Sequence, residues 1–203
     1  MSEASKRVFP IWFTLVVTMV FIAITSVVYT MTKEKIQLNE RVRLMKSVLV
    51  AAGVEMPAEP AEIEKVFTGR VKDVKNDSGG VSYYVIYEED GSTVSSYVLV
   101  RMGAGLWGTI TATVGLSRDL GVFAGMEVID QNETPGLGGR ISEQWFKEQF
   151  RGKEGPMVTV PEGSPAGEKN QFQAITGATY STNAIKNLMN GASEYGRQII
   201  EKQ

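Results

Sequence analysis

Hydroxyl side chains crowd one short segment near the C-terminal end of the chain. The segment reads Thr176, Gly177, Ala178, Thr179, Tyr180, Ser181 and Thr182. Its small residues let the backbone approach a bulky group closely. A predicted helix from about Asn183 to Ile200 follows, and the free N–H groups and dipole of a helix N-terminus favour a phosphate. The segment therefore indicates a phosphate site, where a threonine ester would need a neighbouring base for its formation but not for its stability.

A simpler interpretation of the same residues is purely structural. Ser181 or Thr182 would then cap the helix, and Gly177 and Ala178 would form the turn before it. Composition alone favours this interpretation over a phosphate site. Two glycine-rich segments earlier in the chain shift the balance.

These two segments are suited to lie against a flat aromatic ring system. The first is a tight loop that reads Glu133, Thr134, Pro135, Gly136, Leu137, Gly138 and Gly139. The second runs from Gly103 to Gly108, where Leu106 and Trp107 offer apolar surface for stacking. Taken alone, the first also fits an ordinary strand-to-helix connection, and the second fits a hairpin turn with a buried tryptophan.

The composition excludes much of ordinary enzymology. Among its 203 residues the chain has no cysteine and no histidine. Thiol nucleophiles, Ser-His-Asp triads, Cys or His zinc sites, thiolate-bound iron–sulfur clusters and His- or Cys-ligated haem are therefore excluded. The net charge of −2 and the lack of a basic stripe make nucleic acid an unexpected partner. Any redox chemistry must use a cofactor that is held without sulfur or imidazole.

An uncharged apolar run extends from Ile11 to Thr32. At about 1.5 Å per residue it reaches roughly 33 Å, enough to span a bilayer core of about 30 Å. The run is longer than the apolar region of a cleaved signal peptide and lacks an Ala-x-Ala site, so it predicts a membrane anchor. The flanking positive charges are nearly balanced, and the short arm of residues 1–10 favours a cytoplasmic N-terminus with an exported domain.

Hydrophobic periodicity predicts the remaining elements. Helical spacing predicts an amphipathic helix over 36–52, and Pro57 and Pro60 predict a turn or linker after it. Strands are predicted at 66–74, 81–87, 94–101, 109–116 and 122–129. We expect the 109–116 strand to be half-buried, because apolar residues alternate there with threonine and glycine. A short helix capped by Ser142 should reach Phe150, and 152–170 should form a long exposed loop containing a short strand.

The expected fold class is α+β. A single N-terminal transmembrane helix (11–32) follows a cytoplasmic arm (1–10) and precedes one extracytoplasmic domain (33–203). In that domain a twisted, mostly antiparallel sheet is packed by helices.

The three glycine- and hydroxyl-rich segments, in this order behind one anchor, resemble a single family. It comprises the flavin-binding subunits of the Rnf and Na⁺-translocating NADH:quinone oxidoreductase (Nqr) complexes, which are the G subunit in Rnf and the C subunit in Nqr. The resemblance covers nearly the whole chain: the anchor, Gly-Leu-Trp-Gly at 105–108, Glu-Thr-Pro-Gly-Leu-Gly at 133–138 and Thr-Gly-Ala-Thr at 176–179. The second motif is specific, the last is weak alone, and their joint occurrence is a strong signal.

The resemblance implies FMN joined by a phosphoester to Thr179, the last residue of its motif. A dedicated flavin transferase would form this bond with FAD as donor. Thr176, Ser181 and Thr182 would then donate to the phosphate beside Gly177 and Ala178. The ring would be flanked by Glu133, Thr134, Gly136, Leu137, Gly138, Leu106 and Trp107. The domain would face the periplasm or cell exterior and pass electrons singly between neighbouring membrane subunits.

The chain departs from the family pattern at Gln173, where an aspartate commonly stands six residues before the acceptor. Its length is closer to that of the Rnf G subunits, whereas the Gly-Leu-Trp and Glu-Thr-Pro-Gly-Leu-Gly-Gly motifs have Nqr character. The resemblance implies the electron-transfer subunit of a Rnf-type ferredoxin:NAD complex. The alternatives are the C subunit of Nqr or a non-flavinylated membrane-anchored scaffold. A stand-alone catalyst is not expected, because no base, nucleophile or metal constellation is visible.

Overall fold

The computed structural model describes residues 3–57, 59–77 and 79–200. The chain divides into two compact units, Met1–Arg41 and Val42–Gln203, which are described separately.

The first unit is helical and apolar. Helix α1 (Glu3–Ala51) begins in this unit and ends in the second. It is the one helix of the described residues that is long and apolar enough to cross a membrane, and its most apolar window has a mean hydropathy of 2.4 with no residue buried. Thr14 and Thr25 donate their hydroxyls back to the carbonyls of Pro10 (2.8 Å) and Phe21 (2.9 Å), so these polar groups are satisfied within the helix.

The prediction of two separate helices, 11–32 and 36–52, was wrong. The backbone stays helical through the intervening Lys33, Glu34 and Lys35, because these residues are strong helix formers. The predicted end of this helix, just before Gly53, is confirmed to within one residue, because α1 ends at Ala51. Gly53 has a φ of +78°, and the N–H of Val54 reaches back to the carbonyl of Leu49 at 3.0 Å, which closes the last turn.

A second helix, α2 (Pro60–Arg70), replaces part of the strand predicted over 66–74. Pro60 starts the helix because a fixed φ and a missing N–H suit the first turn. Ile63 is buried, with Val66 and Phe67 packed against it at helical spacing. The strand therefore begins only at Val71.

Five antiparallel strands form the main sheet in sequential order, which confirms the α+β class. They are β1 (Val71–Lys75), β2 (Val81–Tyr87), β3 (Val94–Ala104), β4 (Thr109–Ser117) and β5 (Phe123–Asp130). Helix α4 (Thr179–Ile200) packs on one face, where Leu188 approaches Gly103 of β3. The end of α1 packs on the opposite face, with its Val48 and Ala51 beside Val98 of β3.

Because helices cover both faces, the prediction of a half-buried strand at 109–116 was wrong. Every residue of β4 from Ala112 to Leu116 is buried. Gly115 lies directly under the carbonyl of Ala51, and the buried hydroxyl of Thr113 donates to the carbonyl of Ser47 at 2.9 Å. The small and polar residues in the predicted alternation thus accommodate the close approach of α1.

The remaining elements are short. They are a 3-10 helix (Gly138–Ser142), α3 (Gln144–Glu148), and two parallel strands, β6 (Val158–Val160) and β7 (Gln171–Gln173). Ser142 ends the 3-10 helix, so its predicted role as the N-cap of the next helix was wrong; that position is held by Glu143. The 152–170 segment contains the expected short strand, and its pairing with β7 ties this segment to the rest of the domain.

The contact between α1 and β4 makes Gly115 a sensitive position. A Cβ there would overlap the carbonyl oxygen of Ala51, and forced overpacking costs about 1–3 kcal/mol. We expect Gly115→Ala to lower the free energy of unfolding of the full chain in detergent by at least this amount, measured by urea titration. Gly69→Ala is the control, since nothing lies within 4 Å of a Cβ at that position.

Candidate functional site

Three loops meet around one shallow depression of about 50 Å³. They follow β3, β5 and β7, and they are the three segments that the sequence singled out. The depression is lined by Leu106 from the first loop, by Glu133, Thr134, Leu137 and Gly138 from the second, and by Gly177, Ala178, Thr179, Tyr180 and Ser181 from the third. The fold therefore brings together residues that lie more than seventy positions apart in the sequence.

Glu133 connects these loops through hydrogen bonds of its side chain. Its side chain is buried, with 5% of the residue exposed. One carboxylate oxygen accepts the backbone N–H of Trp107 at 3.0 Å, and the other accepts the hydroxyl of Ser181. The backbone N–H of Glu133 itself donates to the side chain of Gln131 at 2.6 Å. Glu133 is thus hydrogen-bonded to each of the other two loops.

Two glycines of the sequence motifs are needed for this arrangement. A Cβ on Gly105 would lie 2.6 Å from one carboxylate oxygen of Glu133. A Cβ on Gly138 would lie 2.8 Å from the other oxygen and would overlap the hydroxyl of Ser181. The segments of these two glycines were predicted to lie against a flat ring system, and both glycines lie against the carboxylate of Glu133.

Helix α4 begins at Thr179, not at about Asn183 as predicted. The N–H of Thr182 is the first to bond within this helix, to the carbonyl of Ala178 at 3.0 Å. The N–H groups of Thr179, Tyr180 and Ser181 therefore belong to the first turn, where an α-helix provides no internal acceptor. Thr179 is exposed, so its hydroxyl lies at the helix N-terminus within reach of solvent.

Each residue that was predicted to donate to a phosphate makes a hydrogen bond within the chain. The N–H of Thr176 donates to Glu162 at 2.7 Å, and the buried hydroxyl of Ser181 donates to Glu133. Thr182 is also buried, and its hydroxyl oxygen accepts the N–H of Ile175 at 3.2 Å. Neither Ser181 nor Thr182 is the N-cap that the structural interpretation required, since both lie inside the first turn.

An ion pair beside Thr176, in the loop that leads into α4, was missed by the sequence analysis. Arg140 and Glu162 form two hydrogen bonds, at 2.7 and 3.3 Å, and the guanidinium lies 5.2 Å from the ring centre of Trp145. The Arg140 guanidinium, followed by the N–H and hydroxyl of Thr176, lowers the pKa of the Glu162 carboxyl from 4.5 to about 2. The pair are far apart in sequence and belong to no motif, so no local signal marked them.

Gln173, the departure from the family pattern, has a structural role in this chain. Its side-chain oxygen accepts the N–H of Gly163 at 2.9 Å. The side chain of Gln149 binds the backbone of Gln173 on both sides, accepting its N–H at 2.7 Å and donating to its carbonyl at 3.3 Å. A neutral amide thus holds β7 and the turn around Gly163 together.

Apolar side chains surround the depression but remain in solvent. Leu106, Trp107 and Tyr180 are 54%, 69% and 71% exposed, and Leu137 is also exposed. The alternative prediction of a hairpin turn is confirmed, because residues 105–108 join the antiparallel strands β3 and β4. The buried tryptophan that it included is wrong, because Trp107 is exposed. A depression of about 50 Å³ is far below the roughly 300 Å³ of a small-molecule pocket. A flat ring system would fit on these exposed side chains but not inside this depression.

The residues present therefore fit a planar cofactor that carries a phosphate. The helix N-terminus supplies N–H groups, an exposed hydroxyl stands beside them, and apolar side chains lie around both.

Comparison with known proteins defines the class: residues 105–194 match the family of FMN-binding domains. This span begins in the β3–β4 loop and ends within α4, so it contains all three loops.

Two relatives and one solved structure place the chain more closely. The G subunit of the ion-translocating oxidoreductase complex of Methanosarcina acetivorans is 31% identical over 200 residues, 96% of this chain and 97% of the relative. The C subunit of the Na⁺-translocating NADH-quinone reductase of Vibrio anguillarum is 30% identical over 58% of this chain and 48% of the relative, so this chain spans about half of its length. The crystal structure of Shewanella oneidensis NqrC has the same fold, with a TM-score of 0.72 and 21% identity over 82% of this chain and 98% of that one. The chain belongs to the family formed by the G subunits of ion-translocating oxidoreductase complexes and their homologues, the C subunits of Nqr.

The Arg140–Glu162 pair should stabilise the folded chain relative to a variant without the Glu162 carboxylate, and this stabilisation should be lost in acid. Because the folded-state pKa of Glu162 is lowered from 4.5 to about 2, its contribution is complete above the unfolded pKa and is lost as the pH falls through the folded one. We expect the wild-type chain to melt at a higher temperature than Glu162→Gln at pH 6 to 8. The gap should narrow below about pH 4.5 and close near pH 2. Thermal unfolding of both proteins across this range measures it, and a gap that persists at pH 2 would contradict the assignment.

Proposed function

We propose that this chain carries FMN covalently on Thr179 and transfers electrons as a subunit of an ion-translocating, Rnf-type ferredoxin:NAD oxidoreductase complex. The observation that carries the proposal is the exposed Thr179 hydroxyl on the first residue of α4, where the three loops meet. Membership of the G-subunit family and the FMN-binding domain over 105–194 support the cofactor and the kind of complex.

Attachment requires an external catalyst. Among the described residues that line the depression beside Thr179, one carries a carboxylate, Glu133, and both of its oxygens already accept hydrogen bonds. A flavin transferase would supply the base and use FAD as donor. The Thr179 oxygen bonds to the phosphorus that bears the riboflavin, the bond from that phosphorus to AMP breaks, and AMP leaves with the hydroxyl proton. The chain gains one FMN minus one water.

Backbone groups, more than hydroxyls, would hold the phosphate. The N–H groups of Thr179, Tyr180 and Ser181 stand at the positive end of the α4 dipole. The ring would lie against the exposed Leu106, Trp107 and Leu137. FMN supplies one-electron chemistry once bound, and the protein fixes its position and its exposure to water.

We assign residues 1–10 to a cytoplasmic arm, 11–32 to a single transmembrane span and 33–203 to a periplasmic or extracellular FMN domain. The apolar part of α1 supports the single span, and the family resemblance supports the orientation. The partners are the other membrane subunits of the complex, because the relatives are by name subunits of ion-translocating complexes. A covalent tether suits a carrier that works outside the cytoplasm, where free FMN is scarce.

The G-type assignment is favoured over the C-type one by coverage. The chain and the archaeal G-type relative match over 96% and 97% of their lengths, whereas the match spans 48% of the C-type relative from Vibrio. A relative that matches over nearly the whole of both chains is the better guide to the complex in which this chain works.

The modification can be tested by intact mass spectrometry of the denatured protein from its native membranes. We expect a gain of one FMN minus one water, mapped to the peptide that holds Thr179. Thr179→Ala should abolish the adduct and leave the fold intact, while Thr179→Ser should keep partial labelling because the hydroxyl remains.

Thr176→Ala is the matched control, since it removes a neighbouring exposed hydroxyl and keeps Thr179. It should retain the adduct. An unmodified wild-type mass in cells that contain the transferase would refute the covalent carrier and leave the scaffold alternative. An adduct that survives in Thr179→Ala would place the linkage at another residue.

A further inference from the structure

One buried side chain, that of Glu133, is hydrogen-bonded to both of the other loops around the depression. Glu133 accepts the N–H of Trp107 with one oxygen and the hydroxyl of Ser181 with the other. Ser181 lies two residues after Thr179 in the same first turn of α4, and Trp107 is one of the exposed apolar residues beside the depression. These two hydrogen bonds therefore connect the first turn of α4 directly to the loop that carries the exposed Trp107.

We propose that Glu133 is the positioning residue of the acceptor site. Its buried carboxylate holds the three loops in register, so that the Thr179 hydroxyl is presented for modification before any flavin arrives. This inference rests on the proposed function for what Thr179 receives, but the ordering of the loops is a property of the unmodified chain.

The surroundings of the carboxylate show that it is built into the fold. Gly105 and Gly138 press against its two oxygens so closely that a methyl group at either position would force it aside. The packing and the hydrogen bonds thus select the same side-chain position. A buried carboxylate that loses a hydrogen-bond donor is left poorly solvated. The loops are therefore expected to separate when the carboxylate or one of its donors is removed.

The geometry also distinguishes positioning from proton transfer. Both oxygens of Glu133 already have donors from the chain itself. Glutamine has nearly the same shape, and its amide can accept from Trp107 N–H with its oxygen and donate to the Ser181 oxygen with its nitrogen. Glu133→Gln should therefore keep the loops joined, whereas Glu133→Ala removes both contacts and leaves a cavity.

The experiment measures how fast FAD labels the full-length chain in detergent, with a flavin transferase whose activity has been verified on another acceptor protein. Intact mass gives the labelled fraction over time. We expect Glu133→Gln to label within about threefold of wild type and Glu133→Ala to label about ten- to a hundredfold more slowly, as a small misplacement of a reacting group does.

A matched glycine pair supplies the control for folding. Gly105→Ala should reproduce the slow labelling of Glu133→Ala, because its Cβ would lie 2.6 Å from the carboxylate. Gly108→Ala, in the same loop, should label like wild type, because its Cβ would meet only the Asn132 side chain at 3.5 Å. Melting temperatures show whether each variant is folded.

Hydrogen exchange of the unmodified chain is the second measurement, made in a Thr179→Ala background where no ester can form. We expect Glu133→Ala to raise exchange in all three loops together by about tenfold or more. Glu133→Gln and Gly108→Ala should leave it near the parent value.

The outcomes separate this inference from the proposed function. Wild-type labelling by Glu133→Ala, or unchanged exchange in its loops, would overturn the positioning role while the Thr179 adduct stands. Equally slow labelling by Glu133→Gln and Glu133→Ala would overturn it too, by showing that the charge matters and not the geometry. If the wild type itself is never labelled but exchange rises as expected, positioning is upheld and the flavin carrier fails.

Discussion

One buried carboxylate, that of Glu133, is hydrogen-bonded to both of the other loops at the proposed acceptor site. Glu133 is held by neutral donors, the N–H of Trp107 and the hydroxyl of Ser181. Burying a carboxylate is unfavourable unless its hydrogen bonds are complete. The segments that hold Trp107 and Ser181 are therefore kept in place by the hydrogen bonds that the Glu133 carboxylate requires. These hydrogen bonds therefore hold the exposed Trp107 loop, the Glu133–Gly139 loop and the start of α4 in fixed positions relative to one another. A long-range hydrogen bond of this kind gives a small, open site a definite shape without an enclosing cavity.

The sheet supplies the rigid base for this arrangement. Helices α1 and α4 cover opposite faces, and β4 between them is buried from Ala112 to Leu116. The loops that follow β3 and β5 are therefore anchored on the two strands that pair with the buried β4. Loops carry function when a rigid scaffold fixes their ends, and here the scaffold leaves Thr179 and its apolar neighbours in solvent. That exposure suits an acceptor that another protein must reach.

Motif and periodicity were enough to predict several features. The apolar run at 11–32, the strand at 81–87, the α+β class and the family resemblance followed from local pattern and spacing. Predictions about burial and about where adjacent elements begin or end were less successful. The half-buried strand at 109–116 is buried on both faces, and α2 was hidden because its apolar spacing is short and a strand begins directly after it.

The sequence by itself determined the chemistry that is possible: no thiol or imidazole, one apolar segment long enough for a membrane, and a threonine loop before a helix. Only the tertiary structure decided which hydroxyl is available. Ser181 and Thr182 are as polar as Thr179 in the sequence, yet folding buries both and hydrogen-bonds them to Glu133 and to the N–H of Ile175. The reason is that exposure and partners depend on residues distant in the chain. The helical turn then places the side chain of Thr179 on the exposed side of α4 and those of Ser181 and Thr182 on its buried side.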